Sequence, residues 1–166
     1  MIITILLIGF YTYPLTGQCF FQKEKDPFTG VETISTVNEL VGAIWPNGQL
    51  NFKLVLIMDK DTTFKLYINI NRLTVRCFGP ESKISIKCGP NIFNLKLSGV
   101  SHCGTKFEDY SVLSLDTIRL LGKNKMTAIR VFYTNDYEDF KVDSFSGYFF
   151  KSKLKCFEKK YPQYFN

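Results

Sequence analysis

Residues 50–70 read LNFKLVLIMDKDTTFKLYINI, and the spacing of their apolar side chains decides the fold class. Phe52, Leu54, Leu56 and Met58 fall at every second position. After Asp59-Lys60-Asp61-Thr62 the series Phe64, Leu66, Ile68, Ile70 does the same. A period of two places each set on one face of a strand, so the segment predicts a hairpin with one buried side. The pattern continues downstream. Leu73, Val75 and Cys77 precede Gly79-Pro80, Ile84, Ile86 and Cys88 precede Gly89-Pro90-Asn91, and Phe93, Leu95 and Leu97 follow. Runs of period two that end in turn residues predict an antiparallel meander with one face in the core and the other in water.

Upstream, Val31, Ile34 and Val37 suit a strand, while Leu40, Val41 and Ile44 have helical spacing, so a strand and a short helical turn ended by Pro46-Asn47-Gly48 are expected. The last third changes character. Ser114 can cap a short helix through Leu115, Ile118, Leu120 and Leu121, with Gly122 as its stop. Residues 126–133 and 139–142 read as two more strands. Across 146–160, Phe149, Phe150, Leu154, Cys156 and Phe157 form an apolar stripe that predicts a helix laid on the sheet. The class is therefore α+β: a mainly antiparallel sheet of about six to eight strands, a short helix after Ser114 and a C-terminal helix packed on the sheet.

The chain of 166 residues is 45% hydrophobic and 22% charged, which excludes disorder, collagen and coiled coil and suits one domain. No charge precedes Lys23, and residues 1–15 (MIITILLIGFYTYPL) are almost wholly apolar. That run is short for a membrane span, and Pro14 with Thr16-Gly17 resembles a processing region, so residues 1–17 are expected to be a signal peptide. The absence of a basic start leaves an uncleaved N-terminal anchor as the alternative. Gln18 before Cys19 does not suit lipidation. Residues 18–30 read as a polar lead-in and 31–166 as a single α+β domain, with no transmembrane segment after processing. Export to the periplasm or the medium follows.

Five cysteines, Cys19, Cys77, Cys88, Cys103 and Cys156, enter that oxidising compartment, and their odd number leaves at least one unpaired within the chain. Strand register favours Cys77 with Cys103. Extending the hairpin about Gly89-Pro90-Asn91 sets Cys77 one residue from facing Cys103, and a bulge at Gly79-Pro80 would supply the step. Cys77 and Cys88 would stand about four residues out of register, roughly 13 Å along the strands.

No metal or cofactor is expected, because the chain has no C-x-x-C pair and one histidine, His102. His102-Cys103 with Glu108 and Asp109 nearby invites a hydrolase reading. Adjacent residues on a strand point to opposite faces, however, and no G-x-S-x-G elbow exists, so no enzyme is expected. The acidic runs 59–61 and 135–139 fall where hairpin turns belong and read as solvated turns. A net charge of +6 on an exported chain suits ordinary solubility, or an acidic envelope polymer rather than nucleic acid. Lys151, Lys153, Lys155, Lys159 and Lys160 on the C-terminal helix are the candidate contacts for an anionic polymer or membrane surface, provided that they join Arg119 or Arg130 in one patch.

The segments KDPFTG, ESKISIKCGPNIFNLKL, YSVLSLDTIRLL, MTAIRVFY and FFKSKLKCFEKK give the chain a strand-and-helix pattern that resembles small uncharacterised exported proteins of Bacteroidota-type bacteria. The resemblance implies export and carries no functional residue over. A non-enzymatic binding or structural module of the cell envelope or secreted fraction is the expected function, its partner an acidic polymer or another protein. The anionic-surface binder and the His102 hydrolase are the alternatives.

Overall fold

Phe64, Leu66, Ile68 and Ile70 are all buried, and the strand that carries them is paired on both edges. The computed structural model describes residues 19–37, 39–44, 48–58, 62–99 and 101–165. The expected signal peptide, the 59–61 turn and Pro46-Asn47 lie outside the described residues. Among the described residues there are ten strands: β1 (Gln22–Lys25), β2 (Glu32–Ser35), β3 (Glu39–Ile44), β4 (Gly48–Met58), β5 (Thr62–Phe78), β6 (Lys83–Cys88), β7 (Asn91–Lys96), β8 (His102–Leu113), β9 (Met126–Phe132) and β10 (Tyr137–Lys141). Helices α1 (Leu115–Lys123) and α2 (Ser144–Lys160) and a 3-10 turn (Pro162–Tyr164) complete the chain. The α+β class, the antiparallel pairing and both helices agree with the sequence reading.

All pairings are antiparallel. β4 pairs β5 along its whole length, and β5 pairs β8. On its other edge β4 carries β2 and β3 end to end. Thr36 joins the two: its N–H donates to the Leu54 carbonyl (2.9 Å) and its Oγ1 accepts from the Leu54 N–H (3.0 Å). The order continues from β3 through β10, β9 and β6 to β7. β7 then comes within 8 Å of β8, Cα to Cα, without forming a ladder with it. The sheet thus curls into an incomplete barrel around its core.

Three expectations are corrected. The segment 40–44 is strand β3 rather than a helical turn, because hydrogen bonding to β4 overrides a short helical spacing. The lead-in contributes edge strand β1, tied to β2 by a Lys23–Glu32 ion pair (2.8 Å). Residues 73–77 start no meander. They belong to β5, and Leu73 and Val75 are 72% and 62% exposed. With β1, β3 and β8 added and 62–78 counted as one strand, ten strands replace the expected six to eight.

The β6–β7 hairpin has the register that its sequence implies, with Ile84 opposite Leu95 and Cys88 opposite Asn91. Its two-residue loop has Gly89 at φ +58°, and Pro90 holds the next φ negative, the combination of a type II′ turn. Ser114 caps α1 by accepting the Thr117 N–H (3.2 Å), and Asp143 caps α2 by accepting the Ser146 N–H (2.9 Å). α2 lies on the concave side of the sheet, with Phe150 edge-on to Phe52 and Phe157 against Phe64. It approaches β9 so closely at Gly147 that a Cβ there would overlap the Met126 carbonyl oxygen.

Cys77 faces Cys103 across the β5–β8 ladder with Cα atoms 4.1 Å apart, the pairing the register argument favours. The step that aligns them lies at residues 72–75 rather than at Gly79-Pro80. Cys19 and Cys156 form a second pair at disulfide distance (Cα–Cα 5.8 Å), which fastens the N-terminal segment to α2 beside the Phe21–Phe157 contact. Cys88 is buried and free, and desolvation pushes its thiol up to about 11. Non-reducing peptide mapping is expected to join Cys77 to Cys103 and Cys19 to Cys156 and to recover Cys88 as a thiol that alkylates only after unfolding. Loops of 26 and 137 residues imply about 3.5 and about 5 kcal/mol on the chain-entropy account. A bridge involving Cys88 would contradict the register.

Candidate functional site

Alternation sorts the strands β10, β9, β6 and β7 into two faces. Phe140, Ile129, Val131, Ile84, Ile86 and Leu95 point into the core. Their neighbours form an outer lattice of three rows, because the registers align them across all four strands. Tyr137, Phe132, Lys83 and Lys96 make the first row, Asp139, Arg130, Ser85 and Asn94 the second, and Lys141, Ala128, Lys87 and Ile92 the third.

The centre of this face is held by side-chain bonds. Arg130 donates two parallel hydrogen bonds to Asp139, Nε to Oδ1 (2.6 Å) and Nη2 to Oδ2 (2.7 Å), and Ser85 Oγ donates to Asn94 Oδ1 (2.5 Å). The guanidinium also covers the Tyr137 ring at 4.3 Å, and the Lys83 ammonium covers Phe132 at 4.8 Å. Arg130 holds the Asp139 carboxyl below its ordinary range, and Asp139 holds Arg130 above its own. Five cations face one anion, a net +4 out of the +6 of the whole chain. Lys87, Lys96 and Lys141 are exposed, and neither they nor Lys83 form an ion pair among the described residues. An open concavity of about 520 Å³ lies over the face, lined in part by Ser85, Lys87, Ile92, Arg130, Phe132 and Asp139. A smaller hollow of about 250 Å³ beside Lys83 and Lys96 is shared with Glu81.

Of the acidic run 135–139, expected as a solvated turn, residues 135 and 136 lie in the β9–β10 turn while Tyr137, Glu138 and Asp139 open strand β10, and its carboxylates anchor arginines. Asp139 takes Arg130, Asp136 stands 3.9 Å from Arg76, and Glu138 pairs with Arg72. Arg72 and Glu138 are 5% and 16% exposed, and Arg72 also donates to the Tyr133 hydroxyl (2.8 Å), which donates to Glu138 (3.0 Å). Burial raises the Tyr133 pKa against the opposing pull of Arg72.

The C-terminal lysines do not gather on one face. Lys151, Lys155 and Lys159 recur at four-residue steps on one stripe, but Lys153 is 6% exposed and sits on the packed side. Lys160 covers the rings of Phe21 and Tyr161. Arg119 donates to the Phe165 carbonyl and stands 3.6 Å from Asp116, while Arg130 lies on the outer sheet face. The buried stripe of α2 is Gly147, Phe150, Lys153, Leu154 and Phe157. Cys156 is half-buried, and the side chain of Phe149 is outside the described residues.

His102 is not assembled with the acids. Its ring lies along β8 over Gly104, with Nε2 3.2 Å from the Lys106 carbonyl oxygen. Glu108 and Asp109 lie beyond Lys106 on the same strand, and among the described residues neither is a hydrogen-bond partner of the ring. Asp109 is buried and accepts the Tyr110 N–H (2.7 Å). Among the described residues no group of three or more His, Cys, Asp or Glu is placed to hold a metal ion, and no helix is long and apolar enough to cross a membrane.

Comparison with protein-family models, with curated proteins and with solved structures finds no match.

Lys83, Lys87, Lys96 and Lys141 are the site residues that sequence reasoning missed. Alternation alone turns 83, 85 and 87 outward, yet only the strand order brings β10 and β7 to either side of β9 and β6. The Asp139 carboxyl is expected to titrate below the ordinary aspartate range by carboxyl NMR and to return toward about 3.9 in Arg130→Ala. The sign follows from linkage. A depressed folded-state pKa adds stability that is present above the unfolded value and lost as pH falls through the folded one. An unchanged titration in Arg130→Ala would contradict the bidentate pair.

Proposed function

We propose that the chain is an exported, non-enzymatic binding module that meets its partner through the outer face of β10, β9, β6 and β7. The observation that carries this reading is the lattice itself. Twelve outward positions in exact cross-strand register place four lysines without ion-pair partners around an internally neutralised Arg130–Asp139 centre, over an open concavity. Binding surfaces are commonly concave, with a few fixed polar groups that orient the ligand.

Two cysteine pairs at disulfide distance support a life in an oxidising compartment, as does the apolar, uncharged stretch 1–17 read as a signal peptide. The resemblance to exported Bacteroidota-type proteins belongs to the same proposal. The hydrogen bonding of the region supports a non-enzymatic role, since the His102 ring meets the Lys106 carbonyl and Asp109 accepts the Tyr110 N–H rather than orienting the imidazole.

A lysine acetylation footprint tests the reading. Full-length protein is labelled with and without the envelope and secreted material of the cells that make it, and each lysine is followed by mass spectrometry. Protection is expected at Lys83, Lys87, Lys96 and Lys141, with Lys155 and Lys159 unchanged. Equal labelling of all six in both samples would overturn it.

A further inference from the structure

The chemistry of this face identifies the kind of partner, on the assumption that it is the binding face. Lys83 and Lys96 are directly opposed in the β6–β7 ladder. Like charges at opposed positions repel, with Cβ atoms about 5 Å apart. Lys87 and Lys141 flank Ala128, one strand to either side. Four residues of β6 separate Lys83 from Lys87, about 13 Å, and β7 and β10 lie about 14 Å apart across the sheet. One small anion cannot reach all four ammonium groups at that spacing, whereas a chain bearing anions at intervals can.

The centre of the face adds a second requirement. The charge of Arg130 is balanced by Asp139, so it presents no strong anion site between the corners. What it presents is aromatic surface: Tyr137, 53% exposed although the guanidinium lies over one part of its ring. A bilayer surface is engaged by apolar side chains that enter the headgroup boundary. Here Ile92 is the one exposed large aliphatic residue among the twelve. Rings set among ammonium groups suit sugar rings carrying charged substituents.

We infer that the outer face of β10, β9, β6 and β7 binds an anionic polysaccharide, its sulfate or carboxylate groups on Lys83, Lys96, Lys87 and Lys141 and a sugar ring over the exposed part of Tyr137. Glu81, in the hollow beside Lys83 and Lys96, opposes the ligand and limits its affinity.

Dextran sulfate is the probe, titrated into the full chain at low salt with neutral dextran, duplex DNA and equimolar phosphatidylserine–phosphatidylcholine vesicles alongside. Lys83→Ser/Lys96→Ser and Lys87→Ser/Lys141→Ser, each checked for folding by circular dichroism, are expected to weaken dextran sulfate binding about tenfold or more and to flatten its salt dependence, as loss of counterion-releasing contacts requires. Lys155→Ser/Lys159→Ser is expected to leave it unchanged, Glu81→Gln to tighten it several-fold by removing a repelling charge, and neutral dextran not to bind. Equal loss in the α2 variant, or tighter binding of DNA or vesicles through the same four lysines, would overturn the polysaccharide assignment. No binding of dextran sulfate, with the four lysines still protected in the footprint, would refute the polyanion and leave the binding face standing. Absence of both would remove the face as well.

Discussion

At Arg72 the long strand β5 leaves β4, and the four residues 72–75 that follow are set against Thr105 alone on β8. An odd number of extra residues is what allows Cys77 and Cys103 to face each other. In the ladder before the break, even-numbered residues of β5 oppose odd-numbered residues of β8, as Phe64 does Leu113. Beyond it odd opposes odd. The arm after the break is tied to the β9–β10 turn. The Thr134 N–H donates to the Cys77 carbonyl (2.9 Å), Phe78 meets Tyr133 edge-on, and the buried Arg72–Glu138 pair with the Tyr133 hydroxyl spans the gap. Because β5 turns away here, β6 takes β9 and β7 as neighbours, and the outer lattice exists only through that choice.

The electrostatics of the lattice differ from those of an ordinary lysine-rich surface. Arg130, its most central cation, is neutralised in a bidentate pair, and two rings are covered by cations. Charge that is left over sits at the periphery, where long ammonium stems reach solvent. On α2 the lysines are spread by the helical rotation: one is buried, one lies on aromatic rings, and the rest are strung along a single stripe. The helix serves mainly to close the core. The close approach of Gly147 to β9 leaves it no freedom to present a different side.

Strand alternation is a local property, so the β4–β5 hairpin, the β6–β7 register and the class of the fold were legible in the residues themselves. Two-residue loops such as Gly89-Pro90 transmit register without ambiguity. Residues 40–44 were not legible, because their apolar spacing fits a helix and only the edge of β4 makes them a strand. Lys153 was misread for a related reason: a lysine between Phe150 and Phe157 looks like solvated surface until α2 is rotated onto the sheet. The four lattice lysines come from three strands, β6, β7 and β10, between residues 83 and 141, and nothing in the chain order announces that β9 inserts between β6 and β10. The turn at residues 135 and 136 was recognisable, but the arginine partners of Glu138 and Asp136, Arg72 and Arg76, lie some sixty residues earlier.

The central claim is that register converts scattered lysines into one recognition surface, and amide chemical-shift mapping of the full chain titrated with dextran sulfate tests it most directly. The account predicts the largest shifts at Ser85, Arg130, Phe132 and Lys141 on the outer face, with the stripe Lys151, Lys155 and Lys159 of α2 unmoved. Shifts centred on α2, or spread evenly over every lysine, would contradict it.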